Sequence, residues 1–126
     1  MQIEYSLANR ECEVNGVLDT CKSLGITPIA FSPLKQGLLS DFALERGDDA
    51  AVKIKPLLQL LQFIGALGGG KTIEHVSLNY LMCRGAVVVP GAKNAAQVQR
   101  NSGAMGWRLD DNDVEIINER LQAMNM

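Results

Sequence analysis

Residues 13–31, EVNGVLDTCKSLGITPIAF, decide the predicted fold class. Apolar side chains at helical spacing predict a helix over Glu13–Leu24, and Gly25 is placed to end it. Ile26–Phe31 is then predicted as a strand, in which Pro28 favours an edge position or a bulge. Helices and strands that alternate in this way are typical of α/β folds.

The same alternation extends in both directions along the chain. A short β-prone segment, Ile3–Tyr5, precedes the first helix, and the β-branched run Ala86–Val89 is typical of a strand buried on both faces. Residues 32–52 are polar and irregular, and we expect them to form the most mobile segment. Further helices are predicted over residues 56–67 and 72–84, with two more that begin at Asn94 and Asp110.

The predicted sheet is parallel, because strands separated by helices pair through right-handed crossovers. It has three strands, which are few for an α/β domain. Helices would cover one face of the sheet and leave its other surfaces bare. We therefore expect the chain to be part of a larger structure.

Composition narrows the class of protein. The chain has 126 residues, of which 47% are hydrophobic and 21% charged, with a net charge of −2, as in a folded globular protein. This charge gives no general reason to bind nucleic acid or an anionic membrane, and no apolar run approaches the roughly 20 residues of a membrane span. No secretory signal is visible at the start, and three cysteines make no disulfide framework, so we expect an intracellular location.

The segment Gly65–Thr72, GALGGGKT, matches the phosphate-loop pattern at every fixed position. In that motif, loop amides and the lysine bind phosphates while the hydroxyl binds magnesium. The motif requires a strand before it, whereas residues 56–64 are predicted to be helical. The predicted helix therefore favours a helix end, a linker and a helix N-cap at Thr72, and the phosphate loop is the alternative interpretation.

Two strand ends carry residues suited to ligands. Phe31–Gly37 offers a small hydroxyl residue and free amides at the carboxyl end of a parallel strand, where α/β enzymes bind ligands. Val89–Gln97 combines a glycine, a lysine and a helix N-terminus, which suits an anionic group. A polar turn and an ordinary N-cap are the alternatives. The lone histidine, His75, has no metal-ligating partner at helical spacing, and no catalytic set of residues or metal site is predicted.

The ordered set of these segments resembles the aldo-keto reductase family. The similarity covers nearly the whole chain and is closest to the branch with members like pyridoxal reductase and potassium-channel β-subunits. Its individual segments are short, but their order is specific to the family. They are QIEYSL at residues 2–7, LGIT at 24–27, AFSPLKQGLL at 30–39, KT at 71–72, VSLNY at 76–80, VPGAKN at 89–94, Gln97 and Asn101.

The resemblance implies half of a barrel and a nicotinamide cofactor. Aldo-keto reductases fold as (β/α)8 barrels of about 250 residues and bind NADP(H), so residues 1–126 would be the carboxyl-terminal half, an incomplete barrel. By resemblance, Gln2 binds the nicotinamide carboxamide and Phe31 stacks on the nicotinamide ring. The other implied cofactor residues are Ser32, Pro33 and Leu34 along the pyrophosphate, Gly91, Lys93 and Gln97 around the 2′-phosphate, and Asn101 at the adenine. Arg100 stands where a glutamate is common in the family and adds positive charge near the phosphate.

The family's catalytic Asp, Tyr, Lys and His have no counterpart in this chain. The resemblance therefore implies the cofactor-binding half of an NADPH-dependent reductase of aldehydes and ketones, which acts on a carbonyl substrate only if the barrel is completed. One alternative is an interaction module that completes a barrel with a partner chain or self-associates through its strand edges. A phosphate-loop ATP-binding protein is the other. The compartment, cytoplasm or plastid, stays open.

Overall fold

A three-stranded parallel sheet forms the centre of the molecule. The computed structural model describes residues 2–31, 33–35, 38–45, 47–89 and 104–124. Strands β1 (Gln2–Glu4), β2 (Ile29–Phe31) and β3 (Val87–Val89) pair in parallel in the order β1-β2-β3. The predicted α/β class and the predicted parallel pairing are confirmed.

Helices connect and cover these strands. The helices predicted after Pro56, Thr72 and Asp110 are confirmed, while the one predicted at Asn94 lies outside the described residues. In the described part of the chain, no helix has the length and apolar character that crossing a membrane requires. The helices are α1 (Glu11–Val14), α2 (Val17–Leu24), a 3₁₀ helix (Asp41–Glu45), α3 (Asp49–Lys53), α4 (Lys55–Leu67), α5 (Ile73–Cys83) and α6 (Asp111–Ala123).

The helix predicted over Glu13–Leu24 is in fact two helices, α1 and α2, with a break at Asn15 and Gly16. Gly16 adopts the left-handed conformation with φ of 89°, and the Asn15 side chain accepts a hydrogen bond from the Val17 amide at 3.0 Å. These two residues end α1 and start α2 because both favour turns over helix interiors. Gly25 ends α2 in the left-handed conformation, as predicted.

Two strand predictions were wrong in detail. Pro28 predicted an edge strand or a bulge, yet β2 is the central strand. The proline lies just before the strand, where its carbonyl accepts a hydrogen bond from the Val87 amide at 2.9 Å, so its missing N–H does not interrupt the ladder. The other error concerns β3, which was predicted to be buried on both faces: Val87 is 50% exposed.

The segment predicted as irregular, residues 32–52, contains the 3₁₀ helix and most of α3. Leu39 and Ala43 from this segment are buried in the core beside α4 residues Leu57 and Leu61. Its apolar side chains therefore contribute to the fold. That it is the most mobile segment stays a prediction.

The two faces of the sheet differ in burial. Ile3, Ala30 and Val88 are register partners, and all three belong to or pack against the hydrophobic core, so they mark the covered face. Because side chains alternate along a strand, the other residues point the opposite way. We call this other side the open face, and it carries Gln2, Glu4, Ile29, Phe31 and Val87.

Candidate functional site

The open face brings together Gln2 and Phe31, two of the predicted cofactor residues. Gln2 is the register partner of Ile29, and Phe31 is the register partner of Glu4, so Gln2 and Phe31 are diagonal neighbours on adjacent strands. The Phe31 side chain is 45% exposed, and Gln2 is exposed as well. An accessible aromatic ring beside an amide can stack on a flat ring and hydrogen-bond to its substituent.

The loop after β2 follows directly from Phe31. Pro33 is buried and Leu34 is half-buried against the core, which anchors this part of the loop. The Leu34 carbonyl accepts a hydrogen bond from the Leu39 amide at 3.0 Å, and the Lys35 carbonyl accepts one from the Leu38 amide at 3.2 Å. The loop is therefore held to the body of the protein at the carboxyl end of the central strand.

A charged pair links this loop to the neighbouring strand. The Lys35 Nζ atom lies 3.3 Å from Glu4 Oε1, and both side chains are partly exposed. Lys35 also has a backbone φ of 51°, and it is the one non-glycine residue with positive φ in the described ranges. The resemblance indicated no role for either Glu4 or Lys35.

Six of the predicted cofactor residues lie outside the described part of the chain, and their roles stay predictions. They are Ser32, Gly91, Lys93, Gln97, Arg100 and Asn101.

Asn79 fixes the segment that follows these residues. Its amide Nδ2 donates hydrogen bonds to the carbonyls of Ala104 at 3.0 Å and Trp107 at 2.9 Å. Its Oδ1 accepts a hydrogen bond from the Leu109 amide at 2.8 Å, and the residue is 1% exposed. No anchoring role of Asn79 was predicted from the sequence. The available signal was an amide side chain within the apolar run of α5.

A second group of polar side chains, the Glu13 cluster, surrounds the Glu13 carboxylate, which Arg10 Nη1 approaches to 3.5 Å. The cluster comprises Glu13, Tyr5, Arg10, Tyr80, Arg84 and Asn118. Tyr5 Oη donates to Glu13 Oε2 at 2.5 Å, and Arg84 pairs with Glu13 Oε1 at 3.1 Å. Tyr80 Oη lies 2.6 Å from Asn118 Oδ1 and 3.5 Å from Glu13 Oε2. The cluster therefore links the residue that follows β1 to α1, α5 and α6 through a carboxylate whose side chain is only 7% exposed.

The tyrosines of this cluster do not have the properties of catalytic acids near neutral pH. Burial raises the pKa of Tyr5 far above its ordinary value, and the hydrogen bond to Glu13 raises it further. Burial and the nearby Glu13 charge also raise the pKa of Tyr80. Both hydroxyls stay protonated and act as hydrogen-bond donors in the fold.

The structure confirms that Gly65–Thr72 is a helix end, a linker and a helix N-cap, and contradicts the phosphate-loop alternative. Gly65 lies within α4, so a helix and not a strand precedes the glycines. Thr72 is the N-cap of α5: its Oγ1 accepts from the His75 amide at 3.2 Å, while His75 Nδ1 accepts from the Thr72 amide at 3.1 Å. The Lys71 ammonium lies 5.2 Å from the centroid of the Trp107 ring. These residues join two helices.

Comparison with solved structures identifies the fold. The glycerol dehydrogenase AKR11B4 from Gluconobacter oxydans matches with a TM-score of 0.84 at 18% sequence identity, over 98% of this chain and 42% of that one. The fold is thus that of an aldo-keto reductase barrel, and the three-stranded sheet is an incomplete, unclosed part of it. The fold-class prediction is confirmed.

The family follows from the sequence comparisons. Residues 1–122 match the model of the Aldo/keto reductase family, and the chain belongs to this family. It is 34% identical to the chloroplastic pyridoxal reductase of Arabidopsis thaliana, over 89% of this chain and 33% of the relative. It is 27% identical to an NAD(P)H-dependent 6′-deoxychalcone synthase of Glycine max, over 97% of this chain and 34% of the relative. The chain thus spans about a third of the length of these relatives.

Proposed function

We propose that this chain is the NADP(H)-binding part of an aldo-keto reductase and forms the carboxyl-terminal half of its barrel. The observation that carries this proposal is the juxtaposition of Gln2 and Phe31 on the open face. Family membership, together with the NAD(P)H dependence stated for the relative from Glycine max, supports a nicotinamide cofactor in general. NADP(H) rather than NAD(H) is our proposal, based on Lys93 and Arg100 as cations for a 2′-phosphate.

The residues on the open face fit such a cofactor. NADP(H), when bound, supplies hydride for the reduction of a carbonyl carbon. The Phe31 side chain offers an accessible ring for stacking, and the Gln2 amide offers both a donor and an acceptor to a carboxamide. Ser32, Pro33 and Leu34 would lie along the pyrophosphate. The residues proposed for the adenosine end are Gly91, Lys93, Gln97, Arg100 and Asn101.

We propose that the chain alone does not reduce carbonyl compounds. None of its residues matches the family's catalytic Asp, Tyr, Lys or His, and general acid catalysis needs a positioned group with a suitable pKa. Tyr5 and Tyr80 are engaged in the Glu13 cluster. Aldehydes or ketones would become substrates only in a completed barrel.

An interaction module is the second candidate function. The observation that favours it is the position of β3 at one edge of the described sheet, where its residue Val87 also leaves an apolar side chain half exposed. Unpaired strand edges accept further strands, so a partner chain or a second copy could extend the sheet. A monodisperse monomer in light scattering, with no partner recovered, would count against this role. An intracellular location, without nucleic-acid or membrane partners, stays a prediction.

Isothermal titration calorimetry with NADP+ and NAD+ tests the proposed function. We expect the unchanged chain to bind NADP+ more tightly than NAD+, and Phe31→Ala to weaken NADP+ binding roughly fivefold through loss of ring stacking. Phe63→Ala is the matched control, because Phe63 is a 63% exposed phenylalanine on α4, away from the strands. No detectable NADP+ binding, or an equal loss in both variants, would contradict the proposal. Steady NADPH oxidation with a panel of aldehydes would contradict the proposed lack of catalysis.

A further inference from the structure

The backbone conformation of Lys35 points to a role for its side chain. Its φ of 51° lies in the left-handed region, which residues with a side chain rarely adopt. Glycine takes this conformation without a steric cost. Strained backbone tends to occur where surrounding contacts hold it for a function. The contacts of the Lys35 side chain, which a glycine could not make, are therefore candidates for that function.

A glycine would lose the ion pair with Glu4. The Lys35 Nζ atom lies 3.3 Å from Glu4 Oε1, and Glu4 is the direct register partner of Phe31. The ion pair thus connects the end of β1 to the loop after β2. It lies beside Phe31, whose ring is proposed to stack on nicotinamide. On the other side of the loop, buried Pro33 and the bond from the Leu39 amide to the Leu34 carbonyl complete the attachment.

We propose that Glu4 and Lys35 are positioning residues for the cofactor. Their ion pair holds residues 33–35 in the conformation that receives the pyrophosphate and keeps the loop in register with Phe31. This inference rests on the proposed function, because it assigns a task to the loop of that same site. Neither residue is proposed to contact the reacting atoms.

Because the Glu4–Lys35 pair is partly exposed, its loss is predicted to change the order of the loop and not the stability of the whole fold. The side chains of Lys35 and Glu4 are 42% and 38% exposed, and ion pairs at such positions contribute little to the free energy of unfolding. Loss of the pair should therefore release the loop without lowering the melting temperature. A residue with a purely structural role would behave in the opposite way.

Two measurements on the 126-residue chain test the proposal. The first is the hydrogen-exchange rate of the Leu39 amide by NMR without ligand, which reports loop order. The second is the dissociation constant for NADP+ by calorimetry. The variants are Glu4→Gln, Lys35→Met, their combination, and the charge-reversed pair Glu4→Lys with Lys35→Glu. Lys53→Met, at an exposed lysine on α3, controls for the change in net charge.

If Glu4 and Lys35 act only through their ion pair, the effects of the variants should not add up. Each single variant should speed Leu39 exchange and weaken NADP+ binding about threefold, as for a partly exposed ion pair. The combined variant should lose no more than either single variant, and the reversed pair should restore both readouts. Melting temperatures and the Lys53→Met control should stay unchanged.

Three results would overturn the proposal. Unchanged Leu39 exchange in both single variants would show that the pair does not order the loop. Weaker NADP+ binding in Lys35→Met but not in Glu4→Gln would mean that Lys35 contacts the cofactor directly. If the unchanged chain binds no NADP+, the proposed function fails and the cofactor role of the pair fails with it, while Leu39 exchange still decides whether the pair orders the loop.

Discussion

The covered face and the open face of the sheet have different proposed roles, the first in stability and the second in ligand binding. On the covered face, Ala30 is fully buried, and the helices above it are linked by the Glu13 cluster. On the open face, Phe31 and Val87 are about half exposed. Because stability comes from buried contacts, substitutions on the covered side should lower the free energy of unfolding. Substitutions on the open face should mainly change ligand binding.

The largest effect is expected from Glu13→Ala. This change removes the carboxylate that pairs with Arg84 and accepts the Tyr5 hydroxyl. The carboxylate itself is 7% exposed, so its removal leaves the buried Tyr5 hydroxyl without its acceptor and the partly exposed Arg84 without its partner. The expected loss is about 2–3 kcal/mol in the free energy of unfolding, most of it from the buried hydrogen bond to the charged group. Urea denaturation measures it. Glu11→Ala, at an exposed position on the same helix, is the control, and a similar loss in both variants would mean that the cluster is not responsible.

Asn79→Ala is expected to cost about 2 kcal/mol, because the Leu109 amide and two carbonyls lose their buried partner. Thermal unfolding followed by Trp107 fluorescence measures this loss, because Trp107 lies in the segment 104–109 that Asn79 anchors. Asn112→Ala, an exposed asparagine on α6, serves as the matched control. Equal stability of Asn79→Ala and the unchanged chain would contradict the role assigned to this side chain.

Gly65→Ala should cost on the order of 1–2 kcal/mol through overpacking. A Cβ atom at Gly65 would collide with the backbone carbonyl of Lys71, whereas Gly47 has open space around it and no positive φ. Gly47→Ala should therefore be neutral or slightly stabilising. Denaturation midpoints compare the two variants. A neutral Gly65→Ala would show that α4 and the following linker are not so closely packed.

Alkaline pH should lower the free energy of unfolding, because three buried groups with raised pKa values lie in the core. Burial, with the Glu13 charge, raises the pKa of Cys12 from 9.0 to about 11, and the pKa values of Tyr5 and Tyr80 are raised as well. The unfolded chain then releases protons at a lower pH than the folded chain, so stability should fall as pH rises above about 9. Unfolding measured at pH 8 and pH 10 tests this. In Tyr5→Phe, the free energy of unfolding should fall less steeply with pH. An unchanged pH dependence would mean that Tyr5 does not contribute to this loss of stability.

The smallest effect on stability is expected on the open face. Phe31→Ala should lower the free energy of unfolding by about 1 kcal/mol, because Phe31 is 45% exposed and only part of its apolar surface is buried in the fold. Denaturation curves measure this change. A loss of the size expected for Glu13→Ala would remove the distinction between the two faces.

Local signals predicted much of the fold. Pro56, Thr72 and Asp110 marked helix starts, and Gly25 marked a helix end, because capping depends on adjacent residues. The position of a strand within the sheet does not depend on local sequence, so Pro28 misled the prediction for β2, and the exposure of Val87 was missed.

The candidate site was predictable only in part. The resemblance selected Gln2 and Phe31, which the register brings together. It did not reveal the Glu4–Lys35 pair, the anchoring by Asn79 or the Glu13 cluster. Each of these contacts joins residues distant in the chain, and no pattern of spacing encodes them.

Thermal unfolding of the 126-residue chain with and without NADP+ tests the central claim most directly. That claim is that the covered face supports a folded unit while the open face binds the cofactor. We expect a cooperative transition, which NADP+ at 100 times its dissociation constant should stabilise by about 2.7 kcal/mol. The absence of a cooperative transition, or a melting curve that NADP+ leaves unchanged, would contradict it.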